Sequence, residues 1–250
     1  MQYGLCHLSV VAVRTEPSHS AEMVTQLLFG DHFKITEERK HWSKVRNHHD
    51  ACEGWVPNKQ LQKIDAANFE ALGAATHPAL TTDLVSHCEL PGGLLLPLVL
   101  GSRIDTVAHI GARYDEEVVT VKPSKPTIIE NAFLYLNTPF LWGGKTPFGI
   151  DAPGFTQMAY RLSGFALPRD TEQQANQGEA LSFIEESEPG DLAFFDNKEG
   201  VIDHVGIILK DNYIIHAHGQ VRIDRIDHTG IFNTEAKLYS HQLRVIKKVV

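Results

Sequence analysis

Pro139-Phe140-Leu141-Trp142-Gly143-Gly144-Lys145, followed by Gly149-Ile150-Asp151-Ala152-Pro153-Gly154-Phe155, is the stretch on which the reading of this chain turns. An aromatic and two glycines make a turn, and Asp151 is a good N-cap for a helix that should run to about Leu162. Pro153 falls in the first turn, where backbone N–H groups are unpaired anyway and proline is tolerated. The start of such a helix stabilises an anion, because free N–H groups and the positive end of the dipole converge there. Position 152 sits at that point. It holds alanine.

Working outward, Lys122-Pro123-Ser124-Lys125-Pro126 reads as a linker, since two prolines favour extended chain. Thr127 can cap a helix that carries Ile128, Ile129, Ala132, Phe133 and Leu136 on one face, with Glu130 placed as in a capping box. Asn137-Thr138-Pro139 ends it. Beyond the second helix come strands at Asp191 to Phe195, Val205 to Leu209, Tyr213 to Ala217, Val221 to Ile226 and Leu243 to Val249. Helices first and an antiparallel sheet afterwards give an α+β domain over residues 127–250.

Upstream, Leu8 to Val13, Met23 to Phe29, His32 to Glu37, Trp42 to Val45 and Gly54 to Pro57 are short apolar or alternating runs at the spacing of a small barrel, over 1–64. A short helix over Ile64 to Gly73 joins this module to the next. Residues 76–122 again show strand-and-turn texture, including Leu94 to Leu100 and Glu117 to Val121, so 65–122 is expected to hold the linking helix and a second, degenerate barrel.

The downstream strands carry the other chemistry-bearing residues. His204 opens one and His216 lies near the end of the next. If Lys210-Asp211-Asn212 is a three-residue loop, Leu209 pairs with Tyr213 and Gly206 with His216. The two histidines then lie diagonally on one face, within reach of each other. A two-residue loop would put them on opposite faces. The sequence permits the pair without forcing it. With 14 histidines in the chain, two in adjacent strands would mean little alone.

In order and spacing, the opening stretch together with Leu167-Pro168-Arg169-Asp170-Thr171, Pro189-Gly190-Asp191-Leu192, Asp203-His204-Val205-Gly206-Ile207 and Ile215-His216-Ala217-His218-Gly219 resembles the NlpC/P60 papain-like cell-wall peptidases. Arg14-Thr15-Glu16-Pro17, Trp42 to Arg46 and Gly54-Trp55-Val56-Pro57 resemble a bacterial SH3 module. The resemblance implies an α+β fold, a papain-like domain preceded by one or two SH3-like barrels. It implies acyl transfer through a thioester, with backbone N–H groups at the helix start as oxyanion donors. His204 would be the base and His216 the residue that orients it. Phe140, Trp142, Asp151 and Pro153 would line the cleft, and Arg169, Asp170 and Thr171 would shape it from behind the helix. The layout resembles γ-D-glutamyl-L-diamino acid endopeptidases, whose substrate is a murein peptide with a free N-terminal L-Ala. Asp151 would meet the terminal amine of that peptide, helped by an acidic residue of the SH3 module, for which Glu16 is the candidate. No metal or organic cofactor is implied.

A thiol peptidase needs a thiolate, a base and a group that orients the base. The family pattern Asp-Cys-Ser-Gly is here Asp-Ala-Pro-Gly, so acylation cannot occur at position 152. Phe140 also stands where the family has tyrosine, and Cys52 where a tyrosine is expected in the SH3 module. Several departures favour a pseudoenzyme that binds cell-wall peptides. The alternative is an active cysteine endopeptidase of murein recycling in which the cysteine has been exchanged for Ala152. A further alternative is a scaffold in which only the barrels act.

Composition sets outer bounds. The net charge of −8 argues against a nucleic-acid or anionic-membrane partner, since both call for a basic surface. Cys6, Cys52 and Cys88 are widely spaced and odd in number, unlike a disulfide framework or a zinc knuckle. The start, Met1-Gln2-Tyr3-Gly4-Leu5-Cys6, lacks the pattern of a secretory signal, so a cytoplasmic protein is expected. His48-His49-Asp50 falls in an expected turn and reads as a solvated loop rather than a metal site.

Overall fold

The computed structural model describes every residue of the chain except Glu117. It divides into two compact units, Met1–Lys122 and Pro123–Val250, so the boundary falls at the proline-bearing linker.

In the first unit, β1 (Gln2–Leu5), β2 (Val10–Arg14), β3 (Met23–Leu28), β4 (His32–Glu38), β5 (Trp42–Asn47), β6 (Glu53–Pro57) and β7 (Gln62–Ile64) form one antiparallel sheet in the order β3-β2-β6-β5-β4-β1-β7. Alternating side chains of these strands meet inside: Cys6, Val11, Val13, Leu27, Phe33, Ile35, Val45 and Val56 make one buried cluster. Helix α1 (Ala66–Ala74) follows, capped by the Asp65 carboxylate, which accepts from Asn68 N. Over 65–122, where a second, degenerate barrel is expected, β8 (Ala79–Leu80) pairs with β11 (Val119–Thr120), and β9 (Val85–Leu90) with β10 (Leu94–Val99). The short helix α2 (Val107–Ile110) lies between β10 and β11. Cys88, Leu98 and Ile104 of this segment form a buried cluster, with Leu90, Leu96, Val107 and Ile110 packed against it and Phe29 joining from the preceding strands. Of the run expected from Glu117 to Val121, Glu117 lies outside the described residues.

In the second unit, helix α3 (Pro126–Phe133) begins two residues earlier than the capping signal suggested. Pro126 takes the first turn, and Thr127 donates to Ser124 O instead of capping. Its buried stripe is Ile128, Ala132 and Tyr135, while Phe133 and Leu136 are exposed. After the short β12 (Lys145–Thr146) and β13 (Gly149–Ile150) comes α4 (Ala152–Leu162), then α5 (Thr171–Ala175).

The sheet is built from β14 (Glu179–Leu181), β15 (Leu192–Asp196), β16 (Ile202–Ile208), β17 (Tyr213–His218), β18 (Gln220–Ile226), β19 (Gly230–Asn233) and β20 (Leu238–Lys248). Its order is β14-β20-β15-β16-β17-β18-β19. The long β20 also pairs with β19, so β15 to β20 close on themselves as a barrel. Ala193, Phe195, Ile208, Ile214, Ile226, Ile231 and Ile246 fill one interior cluster. By the two-residue period, His204 and Gly206 share a face with Ile208, His216 with Ile214, and Asp224 with Ile226. A polar layer thus caps the apolar one.

Candidate active site

Helix α4 begins at the expected place, and Asp151 fixes it there. One carboxylate oxygen accepts from Gly154 N at 2.8 Å, and the other accepts from Gly143 N at 2.8 Å and Arg169 Nη2 at 2.6 Å. The Trp142-Gly143-Gly144 turn is therefore fastened to the helix start by one buried side chain. Gly154 has to be glycine, because a Cβ would lie 2.7 Å from Asp151 Oδ1 and also run into the Gly144 carbonyl. Arg169 turns away from its neighbour Asp170 and pairs with Asp151, both side chains being buried. Asp170 caps α5 by accepting from Gln173 N, and Thr171 is the buried first residue of that helix.

The β16–β17 hairpin adopts the three-residue loop. Gly206 pairs with His216 and Leu209 N donates to Tyr213 O, with Asp211 and Asn212 at positive φ. His204 Nε2 and His216 Nδ1 are 2.8 Å apart, and His216 Nε2 is 3.1 Å from Asp224 Oδ2. Asp224 in turn accepts from Arg222 Nε at 2.7 Å. Gly206 makes room for this layer: a Cβ there would meet His216 Cβ at 2.9 Å and Ile214 Cδ1 at 2.7 Å.

Electrostatics set the protonation. Burial opposes charge on Asp224, but hydrogen bonds from His216 and Arg222 prevail and hold its carboxyl below the usual range. It therefore accepts the Nε2–H of His216, which leaves His216 Nδ1 to accept the Nε2–H of His204. Burial also pushes His216 down, against the pull of Asp224. His204 lies well below the ordinary imidazole range, first through burial and then through His241, His216 and His218.

These elements border a cleft of about 910 Å³. Phe140, Trp142, Asp151, Ala152 and Pro153 line one part of it and His204 and His218 another, while Asp196, Lys198, Asp203, His228 and His241 are among the residues that line the remainder. Arg169, Asp170 and Thr171 are not among the lining residues and act from behind α4. His216 supports His204 from within the barrel. Glu16 lies in the exposed turn after β2 of the first unit.

Sequence reasoning missed Asp224, Arg222 and His241. The register argument that joined His204 to His216 would have reached Asp224 if carried one hairpin further, since His216 pairs with Arg222. His241 comes from a strand remote in sequence, and no local pattern marks it.

A helix start facing a histidine relay across a cleft defines a papain-like thiol-peptidase scaffold, here without its sulfur. The second unit belongs to the NlpC/P60 family, whose model matches residues 137–238, and residues 13–61 match the bacterial dipeptidyl-peptidase Sh3 domain. The chain is 29% identical over 214 residues to a γ-D-glutamyl-L-lysine dipeptidyl-peptidase of Bacillus subtilis, covering 77% of this chain and 71% of that one. It is 25% identical over 243 residues to dipeptidyl-peptidase 6 of Lysinibacillus sphaericus, covering 85% and 87%. An NlpC/P60 family protein from Bacillus cereus superposes with a TM-score of 0.78 over 99% of both chains, at 19% identity, which speaks to the fold alone. Among the described residues no helix is long and apolar enough to cross a membrane.

Proposed function

We propose that this chain binds murein peptides in the α4–barrel cleft and does not cleave them by thiol chemistry. The observation that carries the reading is Ala152 at the first position of α4, lining a cleft whose relay and helix cap are otherwise intact. A methyl group offers neither nucleophile nor proton. Loss of a triad nucleophile leaves only a residual ~10³–10⁴-fold rate over water. Cys6 and Cys88 are buried in cores of the first unit, so neither replaces it. The relatives named as γ-D-glutamyl-L-lysine dipeptidyl-peptidases support a short peptide with a γ-D-glutamyl bond as ligand class. Asp151, Asp196 and Asp203 give the cleft acidic groups suited to a terminal amine.

The intact relay favours a second reading, that of an active cysteine endopeptidase in which Ala152 replaces the nucleophile. Calorimetric binding of L-Ala-γ-D-Glu-diaminopimelate to the chain, beside turnover by Ala152→Cys, separates the two. Binding by the chain and an inert cysteine variant are expected. No binding at about 1 mM peptide would sink the proposal. Cleavage by the cysteine variant would transfer it to the second reading, and Phe140 and Pro153 would then be harmless departures.

A further inference from the structure

A thiol-peptidase relay uses His204, His216 and Asp224, yet the same layer holds a further imidazole. The His241 ring lies flat on His204, with ring centroids 4.0 Å apart and planes at 18°. One nitrogen from each of His204, His216 and His241 lies within 4.8 Å of the other two. We propose that these three histidines form a binding site for a late first-row divalent cation, zinc foremost, at the floor of the cleft.

Geometry supports this. Three nitrogens on a tetrahedral zinc at about 2.0–2.1 Å stand roughly 3.3 Å from one another. The 2.8 Å hydrogen bond between His204 and His216 opens slightly to reach that spacing, and the wider pairs close by about 1.5 Å at most. Because the His204 and His241 planes lie at only 18° to each other and their lone pairs run nearly parallel, one of these two rings must also turn about its side-chain torsions to aim its nitrogen at a shared ion. Two of the three ligands have a partner for the second nitrogen, as metal-bound imidazoles commonly do. His216 presents Nδ1 to the cluster while its Nε2–H is held by Asp224, itself anchored by Arg222. His241 Nδ1 is 2.8 Å from Ser240 Oγ, which leaves Nε2 for the ion. His204 binds through Nε2 once the proton it shares with His216 has moved to its own Nδ1. No proton leaves the site in that shift.

Chemistry points the same way. Imidazole donors select zinc, copper and nickel over calcium and magnesium. Three protein ligands leave a fourth position for water or a group of a cleft ligand, because His204 and His241 both border the cleft. The site does not depend on murein peptide being the ligand.

The test uses the full chain, stripped with a chelator and titrated with Zn²⁺ against a chromophoric competitor, and with Co²⁺ followed by visible absorption. One ion per chain and the intense visible bands of four-coordinate cobalt are expected. His241→Ala should weaken binding by more than a hundredfold while circular dichroism stays unchanged, a first-sphere loss exceeding the roughly 10–100-fold expected of Asp224→Asn through His216. His77→Ala, at an exposed position of the first unit, should leave both titrations as they were. Absence of uptake at about 1 mM zinc overturns the proposal. So does stoichiometric uptake that survives in His241→Ala, which would place the ion elsewhere. If His204→Ala fails to fold, the His241 and Asp224 variants still decide the matter.

Discussion

At the scale of single residues, His241 contributes a pH dependence whose sign follows from burial. Its imidazole is pushed down to about 3 from the ordinary 6.5, first by desolvation and then by His216 and His218. The unfolded chain therefore takes up a proton below about pH 6.5 that the folded chain refuses, so stability is full above that pH and falls as pH drops toward the folded value. Each pH unit in that window is worth at most about 1.4 kcal/mol for one group, and partial solvent access lowers this, so a loss of about 1–2 kcal/mol between pH 6.5 and pH 5 is expected from His241. Urea midpoints measured in chelator should fall over that range in the parent chain and fall less in His241→Asn. Equal slopes would show that His241 charges freely in the folded state. Asp151 makes the contrasting case. Its carboxylate joins a turn, a helix start and Arg169, so any substitution tested for ligand binding at this position also loosens the scaffold around Ala152.

At the scale of elements, the β16–β17 hairpin decides whether the relay exists. Its three-residue loop holds Asp211 and Asn212 at φ of 58° and 59°, where a β-branched side chain is strained. Asn212→Val should cost about 1–2 kcal/mol in denaturant unfolding, whereas Asn212→Gly should cost little. A Val variant as stable as the parent would mean the loop can relax without disturbing the register. This hairpin also marks how far the site was legible. Polar Lys210-Asp211-Asn212 between two apolar runs gave two registers, and only the loop geometry chose between them. The start of α4 was plain because Asp151, Pro153 and the glycines each have a local backbone reason to be there. Helix α3 was misplaced by two residues because Thr127 and Pro126 both offer a start, and proline in the first turn prevailed. The strands β1, β7 and β14 escaped notice because each is three or four residues long and recruited by pairing rather than by pattern. The apolar runs of 79–114 were legible as strand-and-turn texture, and they gather into a cluster of their own that Phe29 joins.

At the scale of the whole molecule, each unit has its own buried apolar cluster: that of Cys6, Val11 and Phe33 in the first, and that of Ala193, Ile214 and Ile246 in the second. Every residue lining the cleft belongs to the second unit. Residues 123–250 are within the usual size of an independently folding domain, and expressed alone they should unfold in one cooperative transition. Peptide recognition is where the two units are expected to differ. If an acidic group of the first unit, Glu16 being the candidate, meets the free amine of the peptide, the isolated second unit loses a charge-assisted hydrogen bond. The loss should be about 1.5–3 kcal/mol in affinity for L-Ala-γ-D-Glu-diaminopimelate. The N-acetylated peptide carries no such charge, so full chain and fragment should bind it alike. Equal affinity of chain and fragment for the free-amine peptide would confine recognition to the second unit and leave Asp151 and its cleft neighbours to meet the amine.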